Sequence, residues 1–231
     1  MTAHNDEAEP ATFFESMYRS RPDPFGFAAM TPHNKRRARV LRMLSPIFRD
    51  KRIVEVGCAE GEQTKFFASI GRAVLAFDIS EAAIARAQRL ELRGTMFRVS
   101  GMTEFSEWGA FDVITMIECL YYLPADDQAR VLDAIARSGH GTLVISAPVI
   151  GRGQHRKYYT DSELKSLLAR HGFSIEQEHV VGLQRPASFL PGLIIQIFKA
   201  FYLLPLGGLL DPVWNAVPAR WVYKKLFVAR F

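Results

Sequence analysis

The stretch Arg52-Ile53-Val54-Glu55-Val56-Gly57-Cys58-Ala59-Glu60-Gly61 decides the reading of this chain. A β-branched apolar run with one acidic residue leads into a turn bearing two glycines. Glu62-Gln63-Thr64-Lys65-Phe66-Phe67-Ala68 follows, with its apolar residues at helical spacing. The pattern predicts strand, tight turn, helix. Gly57 and Gly61 lack a Cβ and suit a turn where backbone must approach a ligand. The start of a helix presents unpaired N–H groups to such a ligand.

Working outward, Ala73-Val74-Leu75-Ala76-Phe77 reads as a second buried strand that ends at Asp78. Asp78 lies about twenty residues beyond the glycine turn, the place of a ribose-binding carboxylate in a mononucleotide-binding βαβ unit. Further strands are predicted at Met96–Val99, Phe111–Ile117, Gly141–Ala147, Phe173–Val181 and Trp221–Phe231. Helices fall between them: Gln63–Ser69, a segment capped by Ser80, one opened by Asp126-Asp127, and one opened by the capping box Thr160-Asp161-Ser162-Glu163. This alternation predicts an α/β protein with a doubly wound, mostly parallel seven-stranded sheet. Ligands then bind at the carboxyl ends of the strands. Glu55, Asp78, Met102, Thr103 and Glu118 all fall at or just past strand ends.

Ahead of this domain, residues 1–50 read as a tail and a helical cap. Residues up to about Thr12 are expected to be disordered, and a short helix begins at Phe13. Arg21-Pro22-Asp23-Pro24-Phe25-Gly26-Phe27 is an aromatic loop, either a lid or a plug for the sheet edge. Thr31 or Asn34 caps a helix over Lys35–Leu44. Its run Lys35-Arg36-Arg37-Ala38-Arg39 reads as a solvated helix face in preference to an anion site. The main domain is expected to span 51–231.

Composition sets bounds. The chain has 231 residues, 48% of them apolar, and a formal charge of +5. Cys58 and Cys119 are its two cysteines, so a disulfide framework is excluded and a reducing cytoplasm is expected. The N-terminus is polar and acidic, unlike a signal peptide. From Ile150 onward there are 11 Lys and Arg against 5 Asp and Glu, so the C-terminal third carries the whole positive excess. No like-charge block resembles a nucleic-acid tail. No His/Cys cluster has metal-ligand spacing, so no metal is expected.

The turn, Asp78 and the later strands together resemble the S-adenosylmethionine (SAM) site of class I methyltransferases. Ile117-Glu118-Cys119-Leu120-Tyr121-Tyr122-Leu123 is similar to the E-x-L-Y-Y-L signature of nodulation-type N-methyltransferases. Asp23-Pro24-Phe25-Gly26-Phe27 is similar to a D-P-aromatic-G-F loop of the same family. The resemblance implies SAM as cofactor and methyl transfer to a nitrogen or oxygen of a small molecule, a sugar or a lipid-linked compound among them. It implies cofactor contacts from Glu55, Gly57, Cys58, Ala59, Gly61, Asp78, Ile79, Met102, Thr103 and Glu118. The chain departs from the family pattern at Ala59, where a glycine is usual, and at Met102, where an acidic residue is often found. Glu118 and His155 are the candidate catalytic groups. His155 lies in the basic loop after the fifth strand. Tyr121, Tyr122, His155 and Tyr158 are the candidate acceptor contacts. The competing class is a non-catalytic protein of the same fold that recruits to a membrane or partner.

One stretch stands outside that family. Residues 189–210 are apolar almost throughout, and 187–219 form an insertion before the last strand. The run is long enough to consider a membrane span, but the chain must return to the sheet. Three uses stay open: a lid, a dimer face, or peripheral contact with an inner membrane face through 189–210. In the last, Lys199, Arg220, Lys224 and Lys225 would face anionic lipid heads.

Overall fold

A computed structural model describes residues 10–152, 157–184, 189–204 and 206–231. In chain order the elements are α1 (Pro10–Ser20), α2 (Pro32–Met43), α3 (Ser45–Phe48), β1 (Arg52–Val56), α4 (Thr64–Ile70), β2 (Ala73–Asp78), α5 (Glu81–Gln88), β3 (Thr95–Val99) and β4 (Val113–Ile117). They continue with α6 (Ala125–Arg137), β5 (Thr142–Pro148), β6 (Ile150–Arg152), β7 (Lys157–Thr160), α7 (Asp161–Arg170), β8 (Ser174–Leu183), α8 (Phe189–Tyr202), α9 (Asp211–Ala216) and β9 (Val222–Arg230).

Seven strands form one sheet in the order β3-β2-β1-β4-β5-β9-β8. β1 to β5 pair in parallel, and β9 runs antiparallel between β5 and β8. This is the mostly parallel, doubly wound seven-stranded sheet that the alternation predicts. β1 pairs β2 on one side and β4 on the other, so the chain reverses its winding there. The crevice at that reversal is where open α/β sheets bind ligands.

The strands form because both faces are covered. β4 and β5 are buried at every residue, as expected of continuous apolar runs in parallel sheets. The period-2 geometry sends neighbours to opposite faces. Val54, Val56, Leu75 and Phe77 pack against α6 and α7 through Val131, Leu132, Leu164 and Leu168. Ile53, Val74 and Ala76 pack the other way, with Val40, Leu41, Phe48 and Phe67 of α2 to α4. Each such side chain stabilises the fold by about 1.5–3 kcal/mol.

Several expectations are corrected. Residues 10–12 are helical, because Phe14 and Tyr18 further along α1 pack with Ala83 of α5 and Ala59 and give that helix a surface to form on. The basic loop after β5 contains a hairpin, β6 paired with β7, which its polar sequence conceals. Thr31, not Asn34, caps α2 with its side chain, while Asn34 donates to the carbonyls of Gly26 and Ala29. The run Lys35 to Arg39 is no solvated face: Arg36 is 1% exposed and Arg37 8%. Arg36 donates to Val180 O and pairs with Asp211, and Lys35 donates to the carbonyls of Leu203 and Leu204. α2 is thus the strut on which the insertion is fastened. No helix among the described residues is long and apolar enough to cross a membrane.

Candidate active site

The turn after β1 holds three left-handed residues within five positions, Gly57 (φ 67°), Ala59 (φ 52°) and Gly61 (φ 82°). Glycine is needed at 57 for space as well as for φ. A Cβ there would lie 2.9 Å from Cys119 Cβ. Ala59 carries its methyl in a region that costs an L-residue roughly 1–2 kcal/mol. The turn is held by hydrogen bonds from outside itself. Gly57 N and Cys58 N both donate to Phe77 O (2.8 and 3.0 Å), and Ala59 N donates to Asp78 Oδ2 (2.9 Å). Asp78 Oδ1 accepts from Ser80 N at 3.0 Å, so one carboxylate spans the turn and the start of α5. Burial pushes the Asp78 carboxyl up, against these hydrogen bonds.

Glu55 lies under the turn, 2% exposed, and accepts from Thr64 Oγ1 at 2.6 Å. Burial raises its carboxyl to about 8. It ties β1 to α4 and does not line the cavity above. Gly61 does not line it either; it gives room for Leu90 and Phe97. Cys58 is buried and opens on a smaller neighbouring cleft with Glu60 and Gln63.

A cavity of about 560 Å³ runs along the carboxyl ends of β1, β2 and β4. Gly57, Ala59, Asp78 and Ile79 line one end, followed by Met102 and Thr103. Glu118, Tyr121, Tyr122 and Tyr158 line the other end. Residues far apart in sequence therefore share one space. Tyr121 packs on Tyr122 (centroids 4.6 Å apart) and edge-on to Tyr158 (5.3 Å). His155 lies outside the described residues.

Glu118 follows β4 directly, at φ 60° and 6% exposed. Its N donates to Ser146 O at 3.0 Å, and its Oε1 accepts from Ser146 Oγ at 2.8 Å. Its Oε2 pairs with Lys224 Nζ at 2.6 Å. β9 delivers that lysine, because the register sets Lys224 opposite Pro148 at the end of β5. Lys224 is therefore a wall of the cavity, not a lipid-facing flank as the sequence suggested. Lys225 likewise turns inward to Asp161 and Glu178. A buried carboxylate needs such partners, since desolvated charge is costly unless paired.

The roof comes from the N-terminus. Phe14, Tyr18, Phe25 and Phe27 line the cavity from above, and Phe14 meets Tyr122 edge-on at 4.9 Å. The aromatic loop is thus a cover on the site, not a plug at the sheet edge. Asp23 N donates to Glu60 Oε2, and Asp23 carboxylate oxygens accept from Phe27 N and Ala28 N. Glu15 of α1 accepts from Ser80 Oγ (2.7 Å) and Ala82 N, which places an acid at the N-terminus of α5. The Ser80 hydroxyl is the main force holding the Glu15 carboxyl down at about 2.

Arg37 of α2 was not singled out as a site residue. Its guanidinium lies 5.3 Å over the Phe27 ring and lines a cavity of about 190 Å³ with Asn34, Glu118 and Lys224. Glu118 and Lys224 also line the larger cavity, so the two spaces meet at that pair. Among the described residues no carboxylate forms an ion pair with Arg37. Glu118 is held by Lys224 and Glu55 by Thr64. Burial pushes the Arg37 guanidinium down.

The family described as a methyltransferase domain matches residues 31–149, just over half of the chain. The chain belongs to that family. The match covers the turn, Asp78 and Glu118. Among curated proteins, the chain is 30% identical over 138 residues to the ubiquinone biosynthesis O-methyltransferase of Thiobacillus denitrificans (strain ATCC 25259 / T1). That similarity covers 57% of this chain and 58% of the relative's length. Among solved structures, the N-methyltransferase NodS from Bradyrhizobium japonicum WM9, in complex with S-adenosyl-l-homocysteine, superimposes with a TM-score of 0.65 at 18% identity, covering 96% of this chain and 97% of that one. Magnesium protoporphyrin IX methyltransferase from Synechocystis PCC 6803 gives 0.62 at 13% identity, with 98% and 99% covered. The Burkholderia thailandensis 1,6-didemethyltoxoflavin-N1-methyltransferase gives 0.60 at 20% identity, with 95% and 86% covered. At these identities the structures speak for the fold.

The residues present fit S-adenosylmethionine, the cofactor that the resemblance implies. The turn at Gly57 leaves no room for a Cβ, Asp78 opens on the cavity, and Arg37 is a buried cation with no carboxylate ion pair among the described residues.

Proposed function

We propose that this protein transfers a methyl group from SAM to a nitrogen or oxygen of a small-molecule acceptor bound under the aromatic cover. The observation that carries this reading is the Glu118–Lys224 pair, which stands in the same cavity as Gly57 and Asp78. Gly57, Ala59 and Asp78 would hold the amino-acid tail and ribose of the cofactor, with Ile79, Met102 and Thr103 beside the adenine. Arg37 would take the carboxylate of the tail. Bound there, SAM supplies an activated methyl carbon for in-line attack.

The remaining work belongs to the chain. Positioning and exclusion of water are the larger part, and the cover of Phe14, Phe25 and Phe27 provides the exclusion. Glu118 accepts the proton of the attacking group, held in place by Ser146 and Lys224. Tyr121, Tyr122 and Tyr158 offer ring faces to a sugar or to another flat, partly apolar body. A lipid-linked acceptor would suit these walls as well.

The test is transfer of labelled methyl from SAM to amine, hydroxyl and sugar-containing acceptor pools, with Glu118→Gln beside the native protein. Loss of a general base lowers transfer by about 10²–10⁴-fold, with SAM binding retained. Full transfer in Glu118→Gln removes Glu118 from the chemistry. Stoichiometric SAM binding with no transfer to any pool would favour a non-catalytic role.

A further inference from the structure

α8 is apolar on both faces but for Gln196 and Lys199. Its inner face buries Ile195 and Tyr202 against Trp214, Val180 and Leu183. Its outer face exposes Leu190, Ile194, Ile197 and Phe201, spaced three or four residues apart along one stripe. The stripe continues past the helix in Leu206 and Leu209, 75% and 77% exposed. A helix apolar all round is normally covered on all sides, and apolar patches of this extent mark a surface meant for contact.

Along the sequence this stretch carries mainly positive charge. Between Gln184 and Trp221 the sequence holds a single acid, Asp211, against Arg185, Lys199 and Arg220. That acid is already engaged by both Arg36 and Arg39 of α2. Lys35 stands at the end of α8, with Nζ on the carbonyls of Leu203 and Leu204. Leu203 and Leu204 are themselves 39% and 51% exposed. An apolar stripe with cations at its margin and no free acid is complementary to an anionic lipid surface. No helix among the described residues is long enough to span, so contact is in the plane of the surface.

We propose that the outer face of α8 and the Leu206–Leu209 segment dock this protein on an anionic lipid surface, with the apolar stripe at the boundary of headgroups and acyl chains. The docked face adjoins the site. His33 lines the Arg37 cavity, and its ring packs edge-on to Trp214 of the insertion at 6.4 Å. Lys199 of α8 and His33 both bond Leu183 O. An acceptor leaving the lipid layer beside α8 would meet that wall first. The docking stands without the proposed chemistry and is tested apart from it.

The experiment is cosedimentation of the intact protein with vesicles of phosphatidylcholine alone, or phosphatidylcholine with phosphatidylglycerol. Binding to the anionic vesicles is expected to exceed binding to the neutral ones by about tenfold or more and to weaken in about 0.5 M salt. The double variant Ile194→Glu/Ile197→Glu changes two exposed side chains. It is expected to stay in the supernatant, with its thermal midpoint and its S-adenosylhomocysteine affinity unchanged. A native protein that ignores both vesicle types overturns the proposal. So does a native dimer that the double variant dissociates, which would make the stripe an interface between copies. A failure of S-adenosylhomocysteine binding in the native protein would count against the cofactor reading and leave the docking result standing.

Discussion

The two ends of the candidate-site cavity are built differently. The end proposed for the cofactor is local. Gly57, Ala59 and Asp78 come from one βαβ unit, and the hydrogen bonds that shape the turn stay within it. The end proposed for the acceptor is assembled from distant chain. Glu118 after β4 bonds Ser146 of β5 and Lys224 of β9, and shares a cavity wall with Arg37 of α2. A local site keeps its shape through backbone geometry. A site assembled from distant parts depends on every packed element between them, so its side chains couple chemistry to the fold.

The sharpest break of this comparison is Arg37, which stands at the junction. If its buried guanidinium serves the cofactor carboxylate, Arg37→Met should lower S-adenosylhomocysteine affinity by about 2–4 kcal/mol, roughly thirty- to a thousandfold. The ligand-free protein should lose no stability, because a desolvated charge with no ion pair among the described residues is removed. Titration calorimetry with thermal unfolding reads both. Lost stability with full affinity would make Arg37 a structural strut instead.

Next in size is Lys224→Met, which strands a buried carboxylate at Glu118. Removing one partner of a buried pair costs about 3–5 kcal/mol. Lys224 keeps 23% of its side-chain exposure, so about 2–3 kcal/mol is expected. Adding Glu118→Gln to that variant should restore most of the stability without restoring methyl transfer. A single variant as stable as the native protein would contradict the pairing.

Glu55 tests the cofactor end alone. Folded, its carboxyl keeps the proton to about 8; unfolded, it releases it near 4.5. The folded state therefore binds more protons between these values, and its stability falls as pH rises through that window. The slope is about 1.4 kcal/mol per pH unit. Urea unfolding at pH 5, 6 and 7 should show this fall in the native protein and a flatter profile in Glu55→Gln. Parallel profiles would mean that Glu55 is ionised in the folded protein.

The same contrast explains what could be read from sequence. β1 to β5, Ser80 and the Thr160 capping box were legible because their signals are short-range: apolar runs, a cap, a glycine turn. The Gly57 turn and Asp78 fell within one such unit. Arg37 was not legible, since a basic run on a helix looks the same whether solvated or buried. What decides is chain outside the helix: Phe27 of the cover lies against the Arg37 guanidinium, and Val181 of β8 and Lys224 of β9 line the same cavity. Lys224 was noticed for its charge and misplaced, because only the β5–β9 register turns it toward Glu118. The β6–β7 hairpin carries too few apolar residues to announce itself.

The central claim is a SAM site at the carboxyl ends of β1 and β2, closed by Asp78. Calorimetric titration of the native protein and of Asp78→Ala with S-adenosylhomocysteine, with NAD as the control, tests it most directly. The account predicts one site per chain, no NAD binding, and an affinity about ten- to a hundredfold weaker in a folded Asp78→Ala, the loss of one buried charged hydrogen-bond partner. Equal affinity in the two proteins, or binding of NAD in place of S-adenosylhomocysteine, would contradict it.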